Sequence, residues 1–202
     1  LCKGYPMMAE YRVVVVKEAQ NLRNLDGNNA SVVSSDGNKT TVQMGSGYRG
    51  DLWLARSGKG KIANVTPADY RYFAIKVGFK SQLVPGKNKP NGCIKLEIFD
   101  DGIKKIGPEY FGTGGDANNR YEILGASEIS TTEPNVLYYD LQSKYKTVTP
   151  TDWNQVFDLV QCKFVIADFP ETAQTYDLYW IRSFKSIEEL QAFVDSENNT
   201  NE

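Results

Sequence analysis

Within seven residues, Gly47-Tyr48-Arg49-Gly50-Asp51-Leu52-Trp53 places two large aromatic rings beside a guanidinium and a carboxylate. A sugar presents C–H faces that stack on aromatic rings and hydroxyls that need paired donors and acceptors, so this mixture has the chemistry of a shallow glycan site. Leu52 and Leu54 alternate with Asp51, Trp53 and Ala55, which predicts a strand over 51–56 with Trp53 opposite the leucines. Trp53 is then the stacking platform, with Arg49 and Asp51 bonding to hydroxyls. The alternative is a Trp53 covered by a loop, since tryptophan is mostly buried on average. Tyr110, Phe111 and Tyr121 form a second aromatic group, with Asn118 and Arg120 as polar partners. The alternative there is a loop pinned over the sheet by its aromatics. Lys76 and Glu97 read as a solvated cross-strand ion pair on the non-core side of adjacent strands, with the lining of a concave face as the alternative.

The remaining chemistry is bounded by what the chain lacks. It has no histidine, which removes the commonest general base and the commonest transition-metal ligand. A carboxylate-only glycosidase needs two acids about 5 to 9.5 Å apart across a cleft. Asp100-Asp101 sits in a turn and Glu188-Glu189 at a helix start, and neither pair is placed that way. Cys2, Cys93 and Cys162 show no C-x-x-C spacing. Cys93 and Cys162 fall in strand-like runs and read as buried thiols, with a disulfide between them as the alternative. A formal charge of −2, with lysine and arginine spread through the chain, gives no footprint for nucleic acid or an anionic membrane. No run approaches the roughly 18 consecutive apolar residues of a membrane-spanning helix.

These groups must be held by strands. Of the 202 residues, 41% are apolar and 12% aromatic, the balance of an ordinary globular chain rich in strand formers. A first strand is expected at Tyr11 to Val16, followed by a hairpin of Ser31–Ser35 and Thr40–Met44 around Asp36-Gly37-Asn38. Strict alternation over Tyr70 to Phe79 predicts a central strand with Phe73, Ile75, Val77 and Phe79 inward, partnered by Cys93 to Phe99. Tyr121–Leu124, Val136–Leu141 and Val160–Asp168 read as further strands, and Pro150 as the start of a short helix carrying Trp153, Val156 and Phe157. The closing strand alternates Tyr176, Leu178, Trp180 and Phe184 against Asp177, Tyr179, Ile181 and Ser183, with Trp153 and Trp180 in the core. Ser186 and Glu189 then stand in S-x-x-E spacing at a helix start. About nine or ten strands punctuated by turns predict an all-β, two-sheet antiparallel β-sandwich with a short C-terminal helix. A single domain is expected over 9–194, with a linker or processed N-terminus at 1–8 and a flexible polar tail at 195–202. The Leu-Cys-Lys opening reads as a processed chain or an excised domain, with additional domains in the full-length protein.

With that order, the chain resembles the galactose-binding-like jelly rolls, the sandwich shared by many carbohydrate-binding modules. The segment Tyr179-Trp180-Ile181-Arg182-Ser183-Phe184-Lys185-Ser186, followed by Glu188-Glu189-Leu190, is similar to the closing segment of uncharacterised domains in surface lipoproteins of Bacteroidetes. Lys17-Glu18-Ala19-Gln20 is similar to a Glu-Ala-Glu opening in some of those modules. The resemblance implies a non-catalytic glycan-binding module, secreted or displayed on the outer-membrane surface of a Gram-negative bacterium, with a polysaccharide or oligosaccharide as partner. The alternative is a structural or protein-interaction module of a multidomain surface protein. Related jelly rolls hold a structural calcium near their first and last strands, and Glu18 and Asp177 are the acids so placed here.

Overall fold

The computed structural model describes residues 17–18, 27–45, 49–55, 64–65, 70–80, 93–99, 121–140, 157–158, 161–167 and 175–200. Among them the chain forms thirteen strand segments and one helix, all strand pairs being antiparallel. The strands are β1 (Lys17–Glu18), β2 (Gly27–Asn28), β3 (Ala30–Ser35), β4 (Thr40–Met44), β5 (Arg49–Ala55), β6 (Asn64–Val65) and β7 (Tyr72–Phe79). They continue as β8 (Cys93–Phe99), β9 (Glu122–Ile123), β10 (Asn135–Asp140), β11 (Phe157–Asp158), β12 (Gln161–Ala167) and β13 (Thr175–Phe184), and α1 is Ile187–Thr200. A seven-stranded sheet runs β3-β4-β13-β7-β10-β9, with β1 also on β13, and a four-stranded sheet runs β2-β5-β12-β8. The fold is therefore the expected β-sandwich: one core cluster draws Phe73, Ile75, Leu137 and Tyr176 from the large sheet and Leu52, Ile94 and Phe164 from the small one. Phe164 and Tyr176 meet across the interface edge to face at 5.7 Å.

The local signals act as their chemistry requires. In the β3–β4 hairpin, Gly37 takes φ +90°, which its missing Cβ permits. The Asp36 carboxylate accepts from the amides of Asn38 and Lys39, both at 2.9 Å. At α1, the Ser186 hydroxyl accepts from the Glu189 amide at 3.2 Å, while the Glu189 carboxylate accepts from the Lys185 amide at 2.6 Å. Leu190, fully buried, then seats the helix on the outer face of the large sheet.

The central strand β7 places Phe73, Ile75, Val77 and Phe79 in the core, as its alternation predicts. Its neighbours are β10 and β13, however, and β8 lies in the other sheet, paired with β12. Lys76 and Glu97 thus belong to different sheets, and Lys76 pairs instead with Glu197 of α1 at 3.1 Å. Phe157 is in the short strand β11, opposite Val65, rather than in a helix. Cys93 and Cys162 lie in adjacent strands, but Cys93 stands opposite Ala167 and Cys162 opposite Ile98. Five residues along a strand is roughly 17 Å, far beyond the reach of a disulfide. The expected strand at 11–16, Trp153 and Val156 lie outside the described residues.

The closing strand departs from simple alternation. The register of β13 against β7 shifts between Leu178 and Trp180, so Tyr179 is the extra residue of a bulge. Tyr176, Leu178 and Ile181 pack in the central core, whereas Trp180 and Phe184 join Ala74, Val136 and Leu190 in a second cluster beneath α1. A one-residue insertion moves every later side chain to the other face, and it is this bulge that turns Trp180 and Phe184 toward the helix and Ile181 toward the central core. Trp180 is buried as expected, but on the outer side of the sheet. The helix also continues past Val194 to Thr200.

Candidate functional site

The outward face of the small sheet carries the first candidate. On β5, Leu52 points into the core, and Asp51 and Trp53 occupy the opposite face. Lys163 of β12 is the direct cross-strand partner of Trp53, which sets the two side chains side by side. Asp51, only 5% exposed, is held by both neighbouring cations. The Arg49 guanidinium donates to it as a fork, Nε to Oδ1 at 2.6 Å and Nη2 to Oδ2 at 3.1 Å, and Lys163 Nζ donates to Oδ2 at 3.4 Å. Asn29, at φ 53°, stands where the chain leaves the small sheet for the large one, and its Nδ2 donates to the Arg49 carbonyl at 2.8 Å. The start of β5 is thereby fixed to the sheet corner.

Trp53 is half-buried, so part of its surface reaches solvent beside two partly exposed cations. Asp51 accepts from Arg49 and Lys163 and acts as their anchor, while Arg49 and Lys163 are the donors that face outward. The field of Asp51 extends inward as well: burial first, then this charge, pushes the Tyr176 phenol well above its ordinary value and keeps it neutral. Lys163 was not legible in the sequence, because only the pairing of strands 112 residues apart brings it to Asp51. Tyr48, Tyr110, Asn118 and Arg120 lie outside the described residues.

Asp177 sits on the outer face of β13, where Thr41 Oγ1 donates to Oδ1 at 2.6 Å and Lys39 Nζ to Oδ2 at 2.8 Å. Lys80 Nζ adds a contact with Oδ1 at 3.4 Å. Burial opposes ionisation of this carboxyl, but the bonds from Lys39 and Thr41 and the lysine charges outweigh it and hold the group below its ordinary range. Glu18 faces Trp180 on the same strand, three residues or roughly 10 Å along β13 from Asp177. Its side chain is outside the described residues. Two ammonium groups, those of Lys39 and Lys80, thus lie against Asp177. Among the described residues no group of three or more metal-ligating side chains occurs.

Of the two acidic pairs, Glu188-Glu189 stands in the first turn of α1. Glu189 caps α1, and Glu188 is held below its ordinary value by its own backbone amide and by Ser186. Asp100 and Asp101 lie outside the described residues. No described helix is long and apolar enough to cross a membrane.

A family model described as "Domain of unknown function (DUF4979)" matches residues 15–190. The comparison with curated proteins gives no match. Among solved structures, the chain is similar to a low-affinity xylan-binding module, CBM86, from the gut symbiont Roseburia intestinalis. The two are 15% identical with a TM-score of 0.42, over 88% of this chain and 98% of that one.

Proposed function

This chain belongs to the family described as "Domain of unknown function (DUF4979)", and we propose that it is a non-catalytic glycan-binding module that captures polysaccharide at a bacterial surface. The observation that carries this reading is the half-buried Trp53 indole, with Lys163 directly across from it and the Arg49–Asp51 fork further along the same outer face of the four-stranded sheet. The indole face takes the C–H face of a sugar, and the two cations donate to ring hydroxyls. Asp51 holds both donors in place before ligand arrives, which lowers the ordering cost of binding. A shallow site of this kind binds each sugar weakly and gains strength from repeated modules on one chain.

Affinity gel electrophoresis against a panel of soluble polysaccharides tests the reading, with Trp53→Ala beside the parent. Retardation by one glycan class that is lost in the variant, with circular dichroism unchanged, supports it. A parent retarded by no glycan overturns it and favours the protein-interaction alternative, whose natural contact is the edge strand β3 with its exposed Val33.

A further inference from the structure

The outer face of the large sheet carries a second constellation, remote from Trp53 in the fold. Strand pairing builds it as two rows. Glu122, Tyr138, Ala74 and Arg182 lie across β9, β10, β7 and β13, and Asp140, Tyr72 and Phe184 form the next row. Helix α1 covers the β13 end of these rows, where Phe184 packs with Phe193 and Leu190. Tyr138 and Tyr72, toward the β9 end, are only half-buried, and Glu122 is exposed.

The rings and charges there are already ordered. Tyr72 and Tyr138 meet edge to face, 6.2 Å between centroids with planes at 75°. Arg71 lies over the Tyr72 ring at 5.4 Å and forks onto Asp140, Nε to Oδ1 at 2.7 Å and Nη2 to Oδ2 at 2.6 Å. One tyrosine face is thus taken by a guanidinium, which leaves Tyr138 as the ring for an incoming group. Glu122, its cross-strand neighbour, makes no hydrogen bond or ion pair with another described residue.

We propose that Tyr138, with Glu122 and the Arg71–Asp140 fork, forms a second sugar subsite, selective for neutral glycans. The proposal rests on the glycan-binding reading and deepens it. Tyr138 supplies the stacking face, Glu122 accepts from sugar hydroxyls, and the fork holds Tyr72 against the platform. The selectivity follows from charge at the β9 end of the rows, where Arg71 against Asp140 and Glu122 leaves a formal excess of one negative charge that repels the carboxylate of a uronic acid, while Arg182 lies at the far, helix-covered end over the Phe193 ring. Burial first, then the charge of Glu122, raise the Tyr138 phenol above its ordinary value, so the stacking ring stays uncharged at neutral pH.

Gel retardation with a neutral polysaccharide that binds the parent and with polygalacturonate separates the outcomes, using Tyr138→Ala, Tyr138→Phe, Glu122→Gln and Trp53→Ala. Glu122 is exposed, so its variant is expected to fold as the parent does and keeps the test decisive if Tyr138→Ala does not fold. The expected result is roughly tenfold weaker binding in Tyr138→Ala, a roughly threefold loss in Glu122→Gln, near-parent affinity in Tyr138→Phe, and no retardation by polygalacturonate. Parent-like binding in both Tyr138→Ala and Glu122→Gln, with loss in Trp53→Ala, overturns this subsite and leaves the glycan-binding reading standing. Retardation by polygalacturonate alone overturns the selectivity. A parent that binds no glycan removes both readings together.

Discussion

Trp180 Nε1 donates to Glu197 Oε2 at 3.0 Å, and the same oxygen accepts from Lys76 Nζ at 3.1 Å. One carboxylate near the end of α1 thus ties the helix to two strands of the large sheet. Replacing Glu197 with Ala is expected to cost about 1 to 2 kcal/mol in urea unfolding, the value of a hydrogen bond to a partly exposed charged group. Glu197→Gln keeps an acceptor for the indole and is expected to lose about half as much. An unchanged midpoint in both would show that the last turns of the helix do not contribute to holding it.

The two clusters on either side of β13 predict that this strand is equally sensitive on both faces. Trp180→Ala, beneath the helix, and Ile181→Ala, in the central core, are each expected to cost about 3 kcal/mol, because both side chains are buried and leave cavities. A strand whose outer face lay open to solvent would put one of the two in water. Chemical denaturation of both variants checks this, and a loss below about 0.5 kcal/mol at either position contradicts the two-core arrangement.

Asp177 gives a pH dependence with a definite sign. Its folded carboxyl is held below the ordinary 3.8, so its contribution is fully present above that value and is lost as the pH falls through the lower folded value. The contribution also declines at the alkaline end, as the pH rises through the folded value of Lys39, which is raised above the ordinary 10.5 first by the bond to Asp177. Asp177→Asn is expected to melt lower than the parent at pH 7, by about 1 kcal/mol of stability, with the gap closing as the pH falls below 3.8. A gap that stays constant between pH 7 and pH 2 contradicts the assignment.

Asp51 anchors two cations whose other surfaces face solvent. Asp51→Asn is expected to lose about 2 kcal/mol, less than for a fully buried pair because Arg49 and Lys163 can turn to water. In glycan binding it is expected to resemble a donor loss, several-fold weaker with the ligand class unchanged. Lys163→Met should weaken binding to a similar extent while costing under about 1 kcal/mol of stability, and isothermal titration beside unfolding curves separates the two effects.

Calcium provides a further check. Lys39 and Lys80 already neutralise Asp177, so a melting temperature measured with calcium is expected to match that measured with chelator. A rise of several degrees would mean that Glu18 and Asp177 share the ion after Lys39 has moved away.

The pattern within each strand was readable from residue types alone. The alternation of β7 assigned Phe73, Ile75, Val77 and Phe79 to the core, Gly37 marked the hairpin and Ser186 with Glu189 marked the helix start, because side-chain period, positive φ and capping are local properties. The face of Trp53 opposite Leu52 was legible for the same reason. Which strands become neighbours is decided by how the two apolar faces close on each other, over separations that no local pattern encodes. Tertiary pairing therefore moved β8 into the small sheet, brought Lys163 to Asp51 and Trp53, and assembled Tyr138, Glu122, Tyr72 and Asp140 on one face. The Tyr179 bulge belongs to the same class: an inserted residue becomes visible only against its partner strand, and it alone determined that Trp180 lies under the helix rather than in the central core.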